Sequence, residues 1–205
     1  MSTQASALQL GALAASWLLF AASHSLLAGP TLERAFGRHS RLAFNAVAMV
    51  AVALPFAVGA WLPATPLWDE PAALRWARWA VMAAAVLGFV HTLKFYSLGG
   101  FLGLKQETWP LTFSPWHRWV RHPWYFLMLL LIWSQALTDT WLTSAVCMTL
   151  YLVVGSRIEE RRILRHHPLS YAAYRRIVPG LLPWRGLALD EPTRLRLEAQ
   201  ALTES

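Results

Sequence analysis

The sequence predicts an all-α, polytopic integral membrane protein with about five transmembrane helices, including a short helical hairpin, and a cytoplasmic C-terminal helical segment. Three observations carry this. Hydrophobic residues make up 56% of the 205 positions and charged residues 14%, against roughly 25% charged in a soluble domain. Apolar runs of about 20 residues, long enough to cross a bilayer as a helix, recur along the chain. The 12 tryptophans suit the lipid–water boundary. This composition excludes an ordinary soluble enzyme and also a disordered chain, which needs the opposite balance.

The first run covers residues 5–28, with Gln9 and His24 as its polar interruptions. The second covers residues 42–62 and contains Pro55, where a kink is expected. The third covers residues 74–96. From 124 to 154 the chain is apolar again, broken at Leu137-Thr138-Asp139-Thr140, and reads as two helices, each a little short for a full span. Charge becomes dense after Arg157, and residues 187–205 read as peripheral or partly disordered. The chain thus divides into N-terminal helices (1–84), a region of site motifs (85–184) and a C-terminal tail (185–205). The first 33 residues hold no Lys or Arg, so the basic start of a signal peptide is missing and the first span is expected to be retained.

The net charge of +7 would fit nucleic acid or an anionic surface. Its distribution decides otherwise. Five spans place the termini on opposite sides, and of the 18 basic residues only Arg75 and Arg78 fall on the N-terminal side. The positive-inside rule then puts the N-terminus outside and the C-terminus in the cytoplasm. The basic excess is topological, and no nucleic-acid partner is expected. Ala80, Ala84 and Gly88 recur at one-turn spacing and read as a packing face. The single Cys147 lies in an apolar run and reads as a small core residue.

Three polar groups fall on the cytoplasmic side. Arg121-His122-Pro123-Trp124-Tyr125 precedes the hairpin, and Pro123 suits the first turn of a helix. An interfacial anchor of Arg, His and aromatics would also account for it. Arg157-Ile158-Glu159-Glu160-Arg161-Arg162 follows the hairpin. Arg157 with Glu160, and Glu159 with Arg162, are i,i+3 neighbours able to pair. Adjacent acids on a helix point about 100° apart and serve different partners. Carboxylates next to a membrane span are costly unless paired, which makes them candidates for function. Tyr171 and Tyr174 share a helical face and lead to Pro179, Pro183 and Trp184; packing onto the membrane explains this group by itself. No metal-ligand spacing occurs among the histidines, so no metal is expected. His24 and His91 could serve as axial haem ligands in a carrier, or be hydrogen-bonded residues, His24 near a span end and His91 in the interior.

Taken in order, Arg121-His122-Pro123-x-Tyr125, Glu159-Glu160, Tyr171-x-x-Tyr174, Val178-Pro179 and Leu182-Pro183 resemble the membrane methyltransferases related to isoprenylcysteine carboxyl methyltransferase and the phospholipid methyltransferases. His24-Ser25-Leu26-Leu27-Ala28, Gly103-Leu104-Lys105-Gln106 and, more weakly, residues 137–140 resemble the bacterial methanethiol S-methyltransferase branch, with its relatives linked to nitrite and nitric oxide reduction.

The resemblance implies S-adenosylmethionine at the cytoplasmic face. Gln106, Arg121, His122, Pro123, Tyr125, Glu159, Glu160, Tyr171 and Tyr174 would form the cofactor site. Arg157 and Glu160 would act on the acceptor or the transferring methyl. It implies an acceptor thiol, small or lipophilic, entering from the bilayer, with Arg121, Arg157, Lys105 and His122 favouring the thiolate. Alternative acceptors are an isoprenylcysteine-like carboxylate or a phospholipid amine. A non-enzymatic accessory protein of nitrogen-oxide metabolism is a further alternative. Many relatives carry Gly where this chain has Leu127, and a leucine there is expected to crowd the cofactor.

Overall fold

The structure, a computed structural model, describes residues 4–27, 34–96, 99 and 111–204. Its helices are α1 (Ala7–Leu27), α2 (Ser40–Trp61), α3 (Ala72–Thr92), α4 (Pro123–Trp133), α5 (Asp139–His166), α6 (Ser170–Ile177) and α7 (Glu191–Leu202). Four helical stretches, beginning at Ala7, Ser40, Ala72 and Asp139, are long and apolar enough to cross a membrane, and α4 is a shorter apolar helix. The chain is therefore an all-α polytopic membrane protein. Among the described residues, extended pairing is limited to one bridge between Pro66 and Thr138.

The hairpin differs from its sequence reading in one respect. Its first arm is short, at 11 residues, but the second is 28 residues long. The helix does not stop where charge begins at Arg157, because Arg and Glu are good helix formers and the hydrogen-bond ladder simply continues. Glu159 and Glu160 therefore stand on the same continuous helix as the apolar span. Pro123 opens α4 as expected, and the His122 carbonyl accepts from Phe126 N at 3.0 Å. Pro55 lies inside α2 and is buried without ending the helix.

Two compact units are built from these helices. The first holds α1, α2, the first part of α3 and the first part of α5. Its core residue Trp17 donates to Ser144 Oγ at 3.0 Å and meets Phe56 edge-on at 5.2 Å. At the start of α5 the Asp139 carboxylate accepts from the backbone N–H groups of Thr140 (2.8 Å), Thr65 (3.0 Å) and Ala5 (3.3 Å). One acid thus satisfies donors from three parts of the chain, which is why the break at residues 137–140 is polar.

The second unit holds the end of α3, most of α4, the rest of α5, and α6 and α7. Its core is Phe113, Tyr171, Tyr174, Val178, Leu189 and Leu197. The tail that reads as peripheral or partly disordered is docked on this core through Leu189 and Leu197. Asp190 caps α7 by accepting from Thr193 N at 2.8 Å. Glu204 caps α6, accepting from Ser170 N at 2.9 Å and Ser170 Oγ at 3.0 Å. Glu198 accepts from Phe113 N at 2.8 Å, and Arg118 exchanges hydrogen bonds with Ala188 and Leu189.

Leu127 is buried against α3. A Cβ built on Gly88 would lie 2.6 Å from Leu127 Cδ2, so the glycine makes the space that the leucine fills. Leu127 thus fills the space that Gly88 leaves between the helices, whereas Ala80 and Ala84, at the same one-turn spacing, are exposed, so of that series only Gly88 has the expected packing role. Gly88→Ile is expected to destabilise the protein by about 1–3 kcal/mol, as overpacking does. Adding Leu127→Ala is expected to recover most of the loss. Thermal unfolding of both variants in detergent checks this; a Gly88→Ile protein as stable as the parent would count against the packing.

Candidate active site

The site begins with backbone. Arg121 N donates to the Pro179 carbonyl at 2.8 Å, and His122 N donates to the Gly180 carbonyl at 3.2 Å. These two bonds seat the start of α4 against the segment that follows α6. A Cβ on Gly180 would lie 3.2 Å from Arg121 Nη2, so only a glycine leaves the guanidinium its full room there. Arg121 then donates to the carbonyls of Val178 and Arg175 and, through Nε, to Glu160 Oε1 at 2.7 Å.

Glu160 is the centre of this arrangement. Its side chain is 7% exposed. Besides Arg121, His122 Nε2 lies 3.1 Å from Oε1, and Arg175 Nε lies 3.1 Å from Oε2. His122 Nδ1 lies 3.5 Å from Glu159 Oε2, so the imidazole stands between the two neighbouring acids, one at each nitrogen. Tyr125 stacks on its ring at a centroid distance of 5.3 Å and 15° between planes. Burial alone would lower the His122 pKa, but the hydrogen bonds and charges of Glu159 and Glu160 outweigh it, and the net direction is upward. His117 behaves oppositely: burial, then the charge of His122, lowers it to about 4. Its Nδ1 accepts from Ser114 N at 3.1 Å, which fits the neutral ring.

Beside this cluster is a cavity of 610 Å³. One wall is a single face of α5: Val153, Ser156, Arg157, Glu160 and Arg161. The rest comes from Arg121, Arg175 and residues 180–182 with Trp184. Among the described residues Arg157 and Arg161 form no ion pair, so they are the cations left to meet a ligand. Arg157 does not pair with Glu160, and Glu159 does not pair with Arg162, contrary to the i,i+3 expectation. The longer-range partners Arg121, Arg175 and His122 hold the acids instead.

The site residues read from the sequence are distributed as follows. Arg121, Arg157 and Glu160 line the cavity. His122, Pro123, Tyr125 and Glu159 belong to the cluster beside it. Tyr171 and Tyr174 lie in the hydrophobic core, and Tyr174 donates to the His117 carbonyl at 2.8 Å. Burial, together with the charge of Glu160, pushes the Tyr171 hydroxyl pKa up. Lys105 and Gln106, with the rest of their motif, and Ala28 lie outside the described residues. Arg121 is engaged by Glu160 and two carbonyls, which leaves it a scaffold role more than a free cation. Arg161, Arg175, Gly180 and Trp184 were not singled out by the sequence as site residues. A signal for the first was present: positions 153, 156, 157, 160 and 161 are one helical stripe.

His24 Nδ1 and the Tyr151 hydroxyl are 2.6 Å apart in the first unit. In the second, Trp116 Nε1 donates to His91 Nδ1 at 3.0 Å. His91 is hydrogen-bonded as expected but stands on an exposed face, not in the interior. No group of three or more potential metal ligands occurs among the described residues.

The chain is 29% identical over 192 residues to a methanethiol S-methyltransferase of Pseudomonas sp. (strain GM41(2012)), covering 82% of this chain and 70% of that one. It is 27% identical over 184 residues to methanethiol S-methyltransferase 2 of Bradyrhizobium diazoefficiens, covering 80% and 70%. It is 29% identical over 190 residues to a methanethiol S-methyltransferase of Mycobacterium tuberculosis, covering 81% and 75%. The chain resembles the methanethiol S-methyltransferases. That is the branch its motifs resemble, and the likeness extends well beyond the motif region. No family model matches, and no solved structure matches.

Two predictions follow from the cluster. Glu160→Ala leaves Arg121 buried without its counter-charge and is expected to cost about 3–5 kcal/mol of stability, seen as a lowered unfolding temperature. The two histidines bracket the pH range. The raised His122 contributes stability that is fully present below 6.5 and lost as pH rises through its folded value. The lowered His117 contributes stability present above 6.5 and lost as pH falls toward 4. Stability measured against pH is expected to lose its alkaline decline in His122→Gln and part of its acid decline in His117→Gln; unchanged profiles would contradict both assignments.

Proposed function

We propose that this chain is a membrane methyltransferase that moves a methyl group from S-adenosylmethionine to a lipophilic thiol at the cytoplasmic membrane face. In this reading the N-terminus is outside and the C-terminus in the cytoplasm, in a bacterial inner membrane. The observation that carries it is the cavity bounded by the α5 face and the Arg121–Glu160–Arg175 cluster. Its size falls within the range of small-molecule sites, and its donor set fits the cofactor. Arg161 suits a carboxylate, Ser156 a hydroxyl, and Trp184 with Leu181 and Leu182 the flat face of a base.

A sulfonium donor supplies an electrophilic methyl carbon: the acceptor sulfur's lone pair forms the new S–C bond as the donor's C–S bond breaks, its electron pair staying on the donor sulfur. The protein's own task is alignment and charge. Arg157, on the cavity wall and without an ion pair among the described residues, favours the thiolate of a thiol bound nearby, with the proton leaving to water. Glu160 acts by fixing Arg121, His122 and Arg175 around the cavity, and Tyr125 braces His122. Tyr171 and Tyr174 hold α6, which carries Arg175, against its core. Leu127 lends no support to a non-catalytic accessory role, because its side chain is packed on Gly88 and does not line the cavity.

Calorimetric titration with S-adenosylmethionine, followed by release of S-adenosylhomocysteine with thiols, a prenylated carboxylate and phospholipids, tests the reading. Cofactor binding and thiol-dependent release are expected. Arg157→Ala is expected to lower kcat/KM at least tenfold with an unchanged unfolding temperature, since the residue is exposed and has no ion pair to lose. Absence of both binding and turnover across the panel would end the proposal.

A further inference from the structure

A second cavity in the same unit has the opposite chemistry. Its volume is 440 Å³, and it is lined by Pro115, Trp116, Trp119, Val120, Phe126 and Pro183, with His91 its one ionisable side chain. The two cavities share walls at two places. Val120 faces the apolar cavity and the next residue, Arg121, the ionic one; Pro183 faces the apolar cavity while Leu182 and Trp184 face the ionic one. A single backbone segment therefore separates them at each place.

The hydrogen bond to His91 sets its tautomer. An indole N–H only donates, so His91 Nδ1 must accept, and the ring proton of the neutral imidazole sits on Nε2. An apolar, aromatic chamber with the His91 N–H in its wall suits a ligand that is hydrocarbon apart from one acceptor atom. A thiol or thiolate has that form. Methanethiol, with two heavy atoms, would fill little of the volume, whereas cavities of this size ordinarily hold much larger molecules.

We propose that this cavity is a selectivity chamber that binds an aryl or multi-carbon alkyl thiol in preference to methanethiol, with His91 Nε2–H as the hydrogen-bond donor to sulfur, before the thiol passes to Arg157 in the ionic cavity. The inference rests on the methyl-transfer reading for the fate of the thiol, but not for its binding.

The experiment uses the full chain in phosphatidylcholine nanodiscs, titrated by calorimetry with ethanethiol, butanethiol, hexanethiol and benzenethiol in the absence of donor. Partition into empty nanodiscs is subtracted. Burial of each methylene is expected to tighten binding about fourfold, giving on the order of a hundredfold between ethanethiol and hexanethiol. Trp119→Ala and Phe126→Ala are expected to flatten the series. His91→Phe is expected to weaken all the thiols by a similar factor and leave the slope intact. A flat series in the parent, or an unchanged slope in both Trp119→Ala and Phe126→Ala, overturns the chamber. S-adenosylmethionine is then titrated into the same samples. A parent that keeps the slope but binds no donor loses the methyl-transfer reading and keeps the chamber. A parent that binds donor and turns over methanethiol in preference to hexanethiol loses the chamber and keeps methyl transfer.

Discussion

Everything around the ionic cavity depends on one buried carboxylate. Glu160 sits at the end of a long apolar stretch of α5, and an acid there is tolerable only if fully paired. Its partners come from two places: Arg121 and His122 before α4, and Arg175 on α6. Pairing therefore ties this part of α5 to both, adding to the backbone bonds that already seat Arg121 and His122 against Pro179 and Gly180. The apolar core of Phe113, Tyr171, Tyr174 and Val178 is non-directional, and burial alone would accept several orientations of α6. Charge-assisted hydrogen bonds with fixed geometry accept few.

The fold was largely readable because membrane helices declare themselves by length and apolarity. The three N-terminal helices begin and end within a few residues of the apolar runs. The hairpin was less readable for a physical reason: a span ends where hydrocarbon ends, but a helix ends only where its hydrogen-bond ladder is interrupted. Arg157 marks the first boundary and His166 the second. The packing of the tail is hidden for a related reason. Its polar composition hides Leu189 and Leu197, two leucines too far apart to stand out, which find their partners only in three dimensions.

The site was legible in its residue types and less so in its pairings. Arg121, His122 and Glu160 could be picked out because charges beside an apolar run need an account. Which charge pairs with which could not, since neighbours in sequence compete with partners 39 positions away, as Glu160 is from Arg121. The tyrosines illustrate the converse. Tyr171 and Tyr174 have the spacing of a motif, yet both rings are buried in the core, and their link to the cavity runs through α6. Gly180 has no signal in a single sequence, and Trp184 reads there only as a residue packed on the membrane, because what matters is the room that one leaves and the wall that the other forms.

The fit of Leu127 into the space above Gly88 also has a history implied in it. Volume is held constant across the helix contact, large on α4 and small on α3. A chain with glycine at position 127 would have to fill that space in another way. A chain passing between the two arrangements one substitution at a time meets either a clash or a void. The void is survivable where stability is in reserve, whereas a clash of rigid helices displaces the very segment that carries His122 and Arg121. Leucine on α4 without glycine on α3 meets the clash, whereas glycine on α3 without leucine on α4 meets only the void. Positions 88 and 127 are then expected to vary together across descendants of a common ancestor, although neither lines the ionic cavity.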